Sequence, residues 1–218
     1  MKRHEEYQAR VHRANLRLRE EGLVPGTTGN ASALDPESGW VYIKPSGKDY
    51  AELLPEHVVA VSLASGAVVD GELNPSVDLP HHLHLYRHLP GVLGVVHTHS
   101  NFATAFAAAG RPIPCVLTGQ ADVFGDAIPC LPYATNQGDA IGRAIVAGRG
   151  RGPGVILQNH GVFTFDHSVE AAVKAAVMLE DSAKTVWLAL HLGPLTELPD
   201  DEIKKWWDRY HTTYGQKE

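Results

Sequence analysis

Gly94-Val95-Val96-His97-Thr98-His99-Ser100 places two imidazoles at i and i+2 directly behind a β-branched, apolar run. Alternate residues of a strand share a face, so a core strand built on Val95 and Val96 would deliver His97 and His99 to one side and Thr98 to the other. Two ligands of a metal site can be met that way, and so can two ordinary core histidines among the thirteen in the chain. The pair needs partners. His160 lies just past a second apolar run, Val155-Ile156-Leu157, after Gln158-Asn159, and Gly161 permits a turn that presents its ring. Asp78 sits in Asn74-Pro75-Ser76-Val77-Asp78-Leu79-Pro80, ahead of a helix, where it reads either as a carboxylate ligand or as a helix N-cap. Three imidazoles and one carboxylate suit zinc, or another divalent transition metal such as Mn2+ or Co2+, better than calcium or magnesium.

With 218 residues, 44% hydrophobic and 20% charged, the chain reads as one globular domain over 1–218. A formal charge of −6 without any Lys/Arg run excludes a general nucleic-acid binder. Met1-Lys2-Arg3-His4-Glu5-Glu6-Tyr7 leads into charged, helix-compatible sequence with no apolar signal core. No later run reaches the roughly 18 apolar residues of a membrane span. A cytoplasmic protein without a membrane partner is expected. Cys115 and Cys130, each closing an Ile-Pro-Cys triplet, read as buried free thiols.

Pro25-Gly26-Thr27-Thr28-Gly29-Asn30-Ala31-Ser32 reads as a small-residue loop whose amides and hydroxyls can surround an anion. The strand Trp40-Val41-Tyr42-Ile43 feeds Lys44-Pro45-Ser46-Gly47. That corner offers one cation, one hydroxyl and approachable amides, the parts of a phosphate site; it equally describes a β-turn capped by a solvated lysine. Helices are expected over 4–22, 79–90, 101–109, 136–149, 169–192 and 200–211, with a hairpin over 58–70. Ile113-Pro114-Cys115-Val116-Leu117 reads as a strand, and 118–125 as a polar loop carrying Asp122. His81, His82 and His84 read as groups behind the ligands or facing solvent. Helices and strands alternate without a βαβ dinucleotide fingerprint, which predicts one layered α/β domain with a central, largely antiparallel β-sheet flanked by helices. Asn30, Ser46, Asp78, His97 and His160 would gather at one sheet edge.

Taken in order, Gly29-Asn30, Lys44-Pro45-Ser46-Gly47, Pro75-Ser76-Val77-Asp78, His97-Thr98-His99-Ser100, Asn159-His160-Gly161 and Tyr214-Gly215-Gln216 resemble the class II aldolase/adducin family, most of all its L-ribulose-5-phosphate 4-epimerase branch. The resemblance implies a zinc held by His97, His99 and His160, with Asp78 at the acidic position. It implies a phosphate held by Asn30, Lys44, Ser46, Gly47 and Ser76. Asp rather than Glu at position 78 matches the epimerase branch, and the epimerase acid/base pair falls on Asp122 and Tyr214. Family members are C4 homotetramers with active sites shared between subunits, so these two residues would serve a neighbour's site.

The implied activity inverts C4 of a ketopentose phosphate, L-ribulose 5-phosphate to D-xylulose 5-phosphate, by retro-aldol cleavage to a metal-stabilised enediolate and re-addition of the aldehyde on its other face. Release of the aldehyde instead would make the chain a sugar-phosphate aldolase of the L-fuculose-phosphate type. Loss of the metal site would leave an adducin-like interaction module. Four departures from the epimerase pattern allow a related sugar or sugar phosphate: Val77 in place of a second phosphate-binding Ser, Gln120 in place of a His, a shorter region after Cys130, and Trp206 in place of a C-terminal His.

Overall fold

Val95 and Val96 are fully buried on opposite faces of one strand, β5 (Gly94–Thr98). In the computed structural model, which describes residues 2–216, β5 runs antiparallel between β1 (Asn30–Asp35) and β8 (Val162–Asp166). Met1, Lys217 and Glu218, the ends of the expected 1–218 span, lie outside the described residues. With β2 (Trp40–Ile43), β3 (Val59–Ser62), β4 (Val68–Asp70), β6 (Cys130–Leu131) and β7 (Gly154–Leu157), the sheet has eight strands in the order β4-β3-β2-β1-β5-β8-β7-β6. Only β6 and β7 pair in parallel, so the sheet is largely antiparallel, as the sequence predicts.

Helices cover both faces. On one, α1 (Lys2–Glu20) and α6 (Val169–Leu190) pack Tyr7, Val11, Leu18 and Val173 against Val96 and Tyr42. On the other, α2 (Leu79–His88) and α5 (Ala140–Gly148) pack Leu83, Leu85 and Ile141 against Val95 and Phe163. A third cluster joins α3 (Asn101–Ala108), α4 (Thr118–Phe124) and α6 around Phe106, Phe124, Ile156 and Val186, and Tyr210 of α7 (Asp200–Thr212) packs on it. Each fully buried Val, Leu or Phe in these clusters contributes roughly 1.5–3 kcal/mol, which binds the layers together.

Three segments differ from the sequence reading. Asn30–Asp35 is a central strand, buried along its whole length, rather than part of a loop. Its residues are small because both faces are covered: Asn15 of α1 brackets Ala31 through N–H and C=O, and Ser32 meets His82 and Tyr86 of α2. Thr118–Phe124 is a helix, closed by Gly125 at φ +61, and not a polar loop. The strand expected at 113–117 reduces to one bridge between Ile113 and Ile128, because Pro114 has no N–H to continue a ladder. Cys115 is buried and Cys130 only partly so, and burial pushes both thiols above their ordinary range. No helix among the described residues is long and apolar enough to cross a membrane.

Candidate metal centre

His97 is the next-to-last residue of β5, which is buried along its whole length, and its ring is fixed from two sides. It stacks on Phe163 of β8 with centroids 4.3 Å apart, and its Nδ1 lies 2.8 Å from the Val162 carbonyl oxygen. A carbonyl only accepts, so Nδ1 carries the proton and Nε2 is left with its lone pair free. His99 stands one residue past the strand, with its buried Nε2 lacking any hydrogen-bond partner among the described residues. His160 comes from the turn joining β7 to β8. There the His160 N–H donates to Leu157 O at 3.1 Å, and Asn159 takes the left-handed conformation, φ +56, that the third position of such a turn requires. Gly161 follows for a different reason. A Cβ there would stand 2.5 Å from Thr98 O and 2.7 Å from His99 Cδ2, so only glycine lets this turn close on β5.

The three rings offer ligand atoms that all lie within 4.8 Å of one another. Burial lowers the pKa of each; for His97 it holds the value down to about 3, with Asp78 partly opposing. The imidazoles are therefore neutral and present lone pairs to a common point, the donor set a divalent transition metal takes. An orphaned His99 Nε2 and a His97 tautomer set by Val162 fit such an ion and would otherwise be left unsatisfied. Asp78 lies outside that trio. Its carboxylate accepts from Asn30 Nδ2 at 2.7 Å and Ser76 Oγ at 3.5 Å, and it makes no side-chain cap on α2, contrary to the N-cap reading. Burial opposes its ionisation, but His97, His82 and the Asn30 amide outweigh that and hold its pKa below the ordinary value.

One cleft of about 320 Å³ joins this cluster to the predicted anion corner. Thr27, Gly29, Asn30, Lys44, Ser46, Gly47, Ser76, Val77 and Asp78 line it together with the three histidines. The Lys44 turn and the Ser76 loop are stitched by Ser76 N–H to Lys44 O and Ser46 N–H to Asn74 O. Gly29 is bound to be glycine, since at φ +71 its Cβ would lie 2.9 Å from His97 O. Lys44 corrects the solvated-lysine reading: it is 2% exposed, its Nζ donates to Thr27 O at 3.0 Å, and it sits 4.7 Å from the Tyr50 ring centroid. No carboxylate forms an ion pair with it among the described residues, and burial lowers its pKa, with the Asp49 charge partly opposing. The cleft lies at the ends of the middle strands β1, β5 and β8, not at a lateral edge of the sheet.

Asp122 and Tyr214 come together elsewhere. Arg209 pairs with Asp122 at 3.5 Å and lies over the Tyr214 ring at 4.9 Å, on the surface where α4 and α7 meet, and neither Asp122 nor Tyr214 lines the cleft. Asp122 Oδ1 is buried without a partner. One participant escaped the sequence reading. Asn136 lines the cleft beside His160, and its Oδ1 accepts from His81 Nε2 at 2.6 Å. Its only sequence signal was the turn-like Asn136-Gln137-Gly138-Asp139, read as the start of a helix that in fact begins at Ala140.

Behind the cluster, His82 is fully buried, its Nδ1 2.7 Å from Ser32 Oγ, and burial holds its pKa down to about 3. The unfolded chain takes up this proton near pH 6.5 and the folded chain only near 3. Between those values the unfolded state binds more protons, so stability is complete above the upper value and is lost on acidification. Chelator-treated protein should lose up to about 1.4 kcal/mol per pH unit for this residue in urea unfolding, and His82→Gln should flatten the slope by that amount. An unchanged slope in the variant would refute the assignment.

This is a layered α/β domain in which one cleft holds three converging neutral imidazoles, a group that could hold a metal ion, beside the buried Lys44 ammonium. Residues 9–187 match the Class II Aldolase and Adducin N-terminal domain, and the chain belongs to the class II aldolase and adducin family. It is similar in structure to an L-fuculose 1-phosphate aldolase, 26% identical with a TM-score of 0.85 over 94% of this chain and 96% of that one. It is likewise similar to YgbL of Klebsiella pneumoniae, a candidate aldolase/epimerase/decarboxylase, at 26% identity and TM-score 0.82 over 93% and 98%. YgbL of Escherichia coli stands at 25% identity and TM-score 0.81, over 94% and 99%. The chain is thus an aldolase/epimerase-like member of a family whose neighbours include sugar-phosphate aldolases.

Proposed function

We propose that this chain is a metal-dependent sugar-phosphate epimerase that inverts C4 of L-ribulose 5-phosphate to give D-xylulose 5-phosphate, acting in the cytoplasm as a homotetramer with shared sites. The observation that carries the reading is the pairing, in one cleft, of the three-histidine cluster with the buried and unpaired Lys44. Zinc, or Mn2+ or Co2+ in its stead, would be held by His97, His99 and His160 with Asp78 as a further ligand, and when bound supplies Lewis-acid polarisation of a ketone and its neighbouring hydroxyl. Lys44, Ser46, Ser76, Asn30 and the Gly47 amide bind the phosphate. A base, Asp122 or Tyr214 of a neighbouring subunit, takes the C4 hydroxyl proton as the C3–C4 bond breaks and its electron pair passes to the three-carbon fragment. The aldehyde turns, C3 attacks its other face, and the partner group returns a proton to O4.

The L-fuculose 1-phosphate aldolase likeness supports a second reading, in which the aldehyde leaves. NMR of L-ribulose 5-phosphate incubated with the purified protein separates the two. Smooth appearance of D-xylulose 5-phosphate supports the epimerase; accumulation of glycolaldehyde phosphate supports the aldolase; neither, with zinc bound, sinks this substrate.

Lys44→Met is expected to raise KM for a phosphorylated substrate roughly ten- to hundredfold, the worth of a charge-assisted hydrogen bond, while leaving thermal stability unchanged or higher, since a buried ammonium is costly to desolvate. A variant that loses stability and keeps its KM would refute the role of Lys44.

A further inference from the structure

We infer that Glu180, on α6, is a positioning residue for the metal ligand His99. The inference rests on the reading of His97, His99 and His160 as a metal site. Strand pairing holds the chain through Thr98, whose register partner is Val162, and helical structure resumes at Asn101. His99 and Ser100 are the two residues that bridge these supports. The far support is not self-sufficient. Ser100 is the N-cap of α3, yet its hydroxyl makes no capping bond and is buried without a partner among the described residues.

Glu180 supplies the cap instead. Its Oε1 accepts the Phe102 N–H and its Oε2 the Ala103 N–H, each at 2.9 Å, so one carboxylate closes two amides of the first turn and places negative charge at the positive end of α3. Lys184 and Trp187 lie one and two turns further along the same face of α6, and both touch Phe102: Lys184 Nζ is 5.7 Å from its ring centroid and the Trp187 ring is 5.5 Å away. Without Glu180 the first turn of α3 loses its cap and frays, and His99 is then held from the strand side only. The other two ligands have supports of their own: Val162 for His97, and the closed β7–β8 turn for His160. The geometry therefore assigns to Glu180 the orientation of one ligand out of three.

The experiment is a competition titration of chelated, full-length protein with Zn2+ against a chromogenic chelator, joined to the visible absorption of the Co2+ form and to thermal unfolding. Wild-type protein that binds neither ion ends the reading of the metal site itself, an outcome distinct from the failure of Glu180. Glu180→Ala is expected to fold, to weaken Zn2+ binding about tenfold, the low end of the range for a group bonded directly to a ligating histidine, since Glu180 acts through the helix end, and to change the Co2+ band. Glu180→Gln retains one acceptor and should recover part of the affinity, and it is read in place of Glu180→Ala should that variant fail to fold. Ser168→Ala removes the cap of α6 itself, where Ser168 Oγ accepts the Ala171 N–H, and serves as the control. It should lower the melting temperature and leave Zn2+ affinity as in the wild type. Wild-type affinity in both Glu180 variants, or an equal loss of affinity in Ser168→Ala, overturns the inference.

Discussion

His97→Ala protein is expected to bind Zn2+ more than about 100-fold more weakly than wild type, since even the outer partners of ligating histidines are worth roughly 10- to 100-fold. Turnover should fall with metal occupancy. His97 carries this effect because its ring is the most constrained of the three: stacked on Phe163, bonded to Val162 and 1% exposed, it needs no reorientation on binding an ion. The variant also opens a cavity against Phe163, so metal content by inductively coupled plasma analysis must be read beside circular dichroism. A folded variant with near-stoichiometric zinc would show that the cluster is a core feature rather than a ligand set.

Tyr214→Phe should behave in the opposite way, keeping its metal and losing turnover by about 10²- to 10⁴-fold, the usual worth of a positioned acid or base. Tyr214 is 57% exposed, stacked on Tyr210, and held under Arg209, which also meets Asp122. Exposure of this proposed acid/base pair away from the cleft makes sense if the pair serves a neighbouring subunit. Mixing decides this point. Equal amounts of His97→Ala and Tyr214→Phe subunits, unfolded and refolded together, should recover about a quarter of wild-type activity if subunits combine at random in a ring with shared sites. No recovery, with both variants assembled, would place Tyr214 outside the shared site, and equal loss of metal and turnover in Tyr214→Phe alone would make its role structural.

The clustering of His97, His99 and His160 was largely legible in the sequence. His97-Thr98-His99 behind two valines and His160 between the apolar run Val155-Ile156-Leu157 and Gly161 are local patterns, and local patterns report the strand and turn that carry a side chain. Asp78 was legible as a carboxylate beside α2. Its hold by Asn30 was not, because that partner stands 48 positions away and only the fold brings it near. β1 was missed for a physical reason: a strand covered on both faces by helices at short range carries Ala and Ser, whose sequence looks like a loop. α4 was missed because seven residues with a Gly and without a side-chain cap leave little helical signature.

The amino-acid sequence by itself determined the chemistry available to this protein: which imidazoles, carboxylates, hydroxyls and glycines exist, and which of them lie on one strand or turn. Tertiary structure alone decided which groups are dry and which are adjacent. Lys44 is a solvated surface charge or an anion trap according to whether Thr27 and Tyr50 cover it. Asn136 reaches the cleft through His81, and Arg209 joins Asp122 to Tyr214 across 87 and 5 positions of chain. The reason is that charge and protonation energies depend on desolvation, and desolvation is set by elements remote in the chain that no local pattern records.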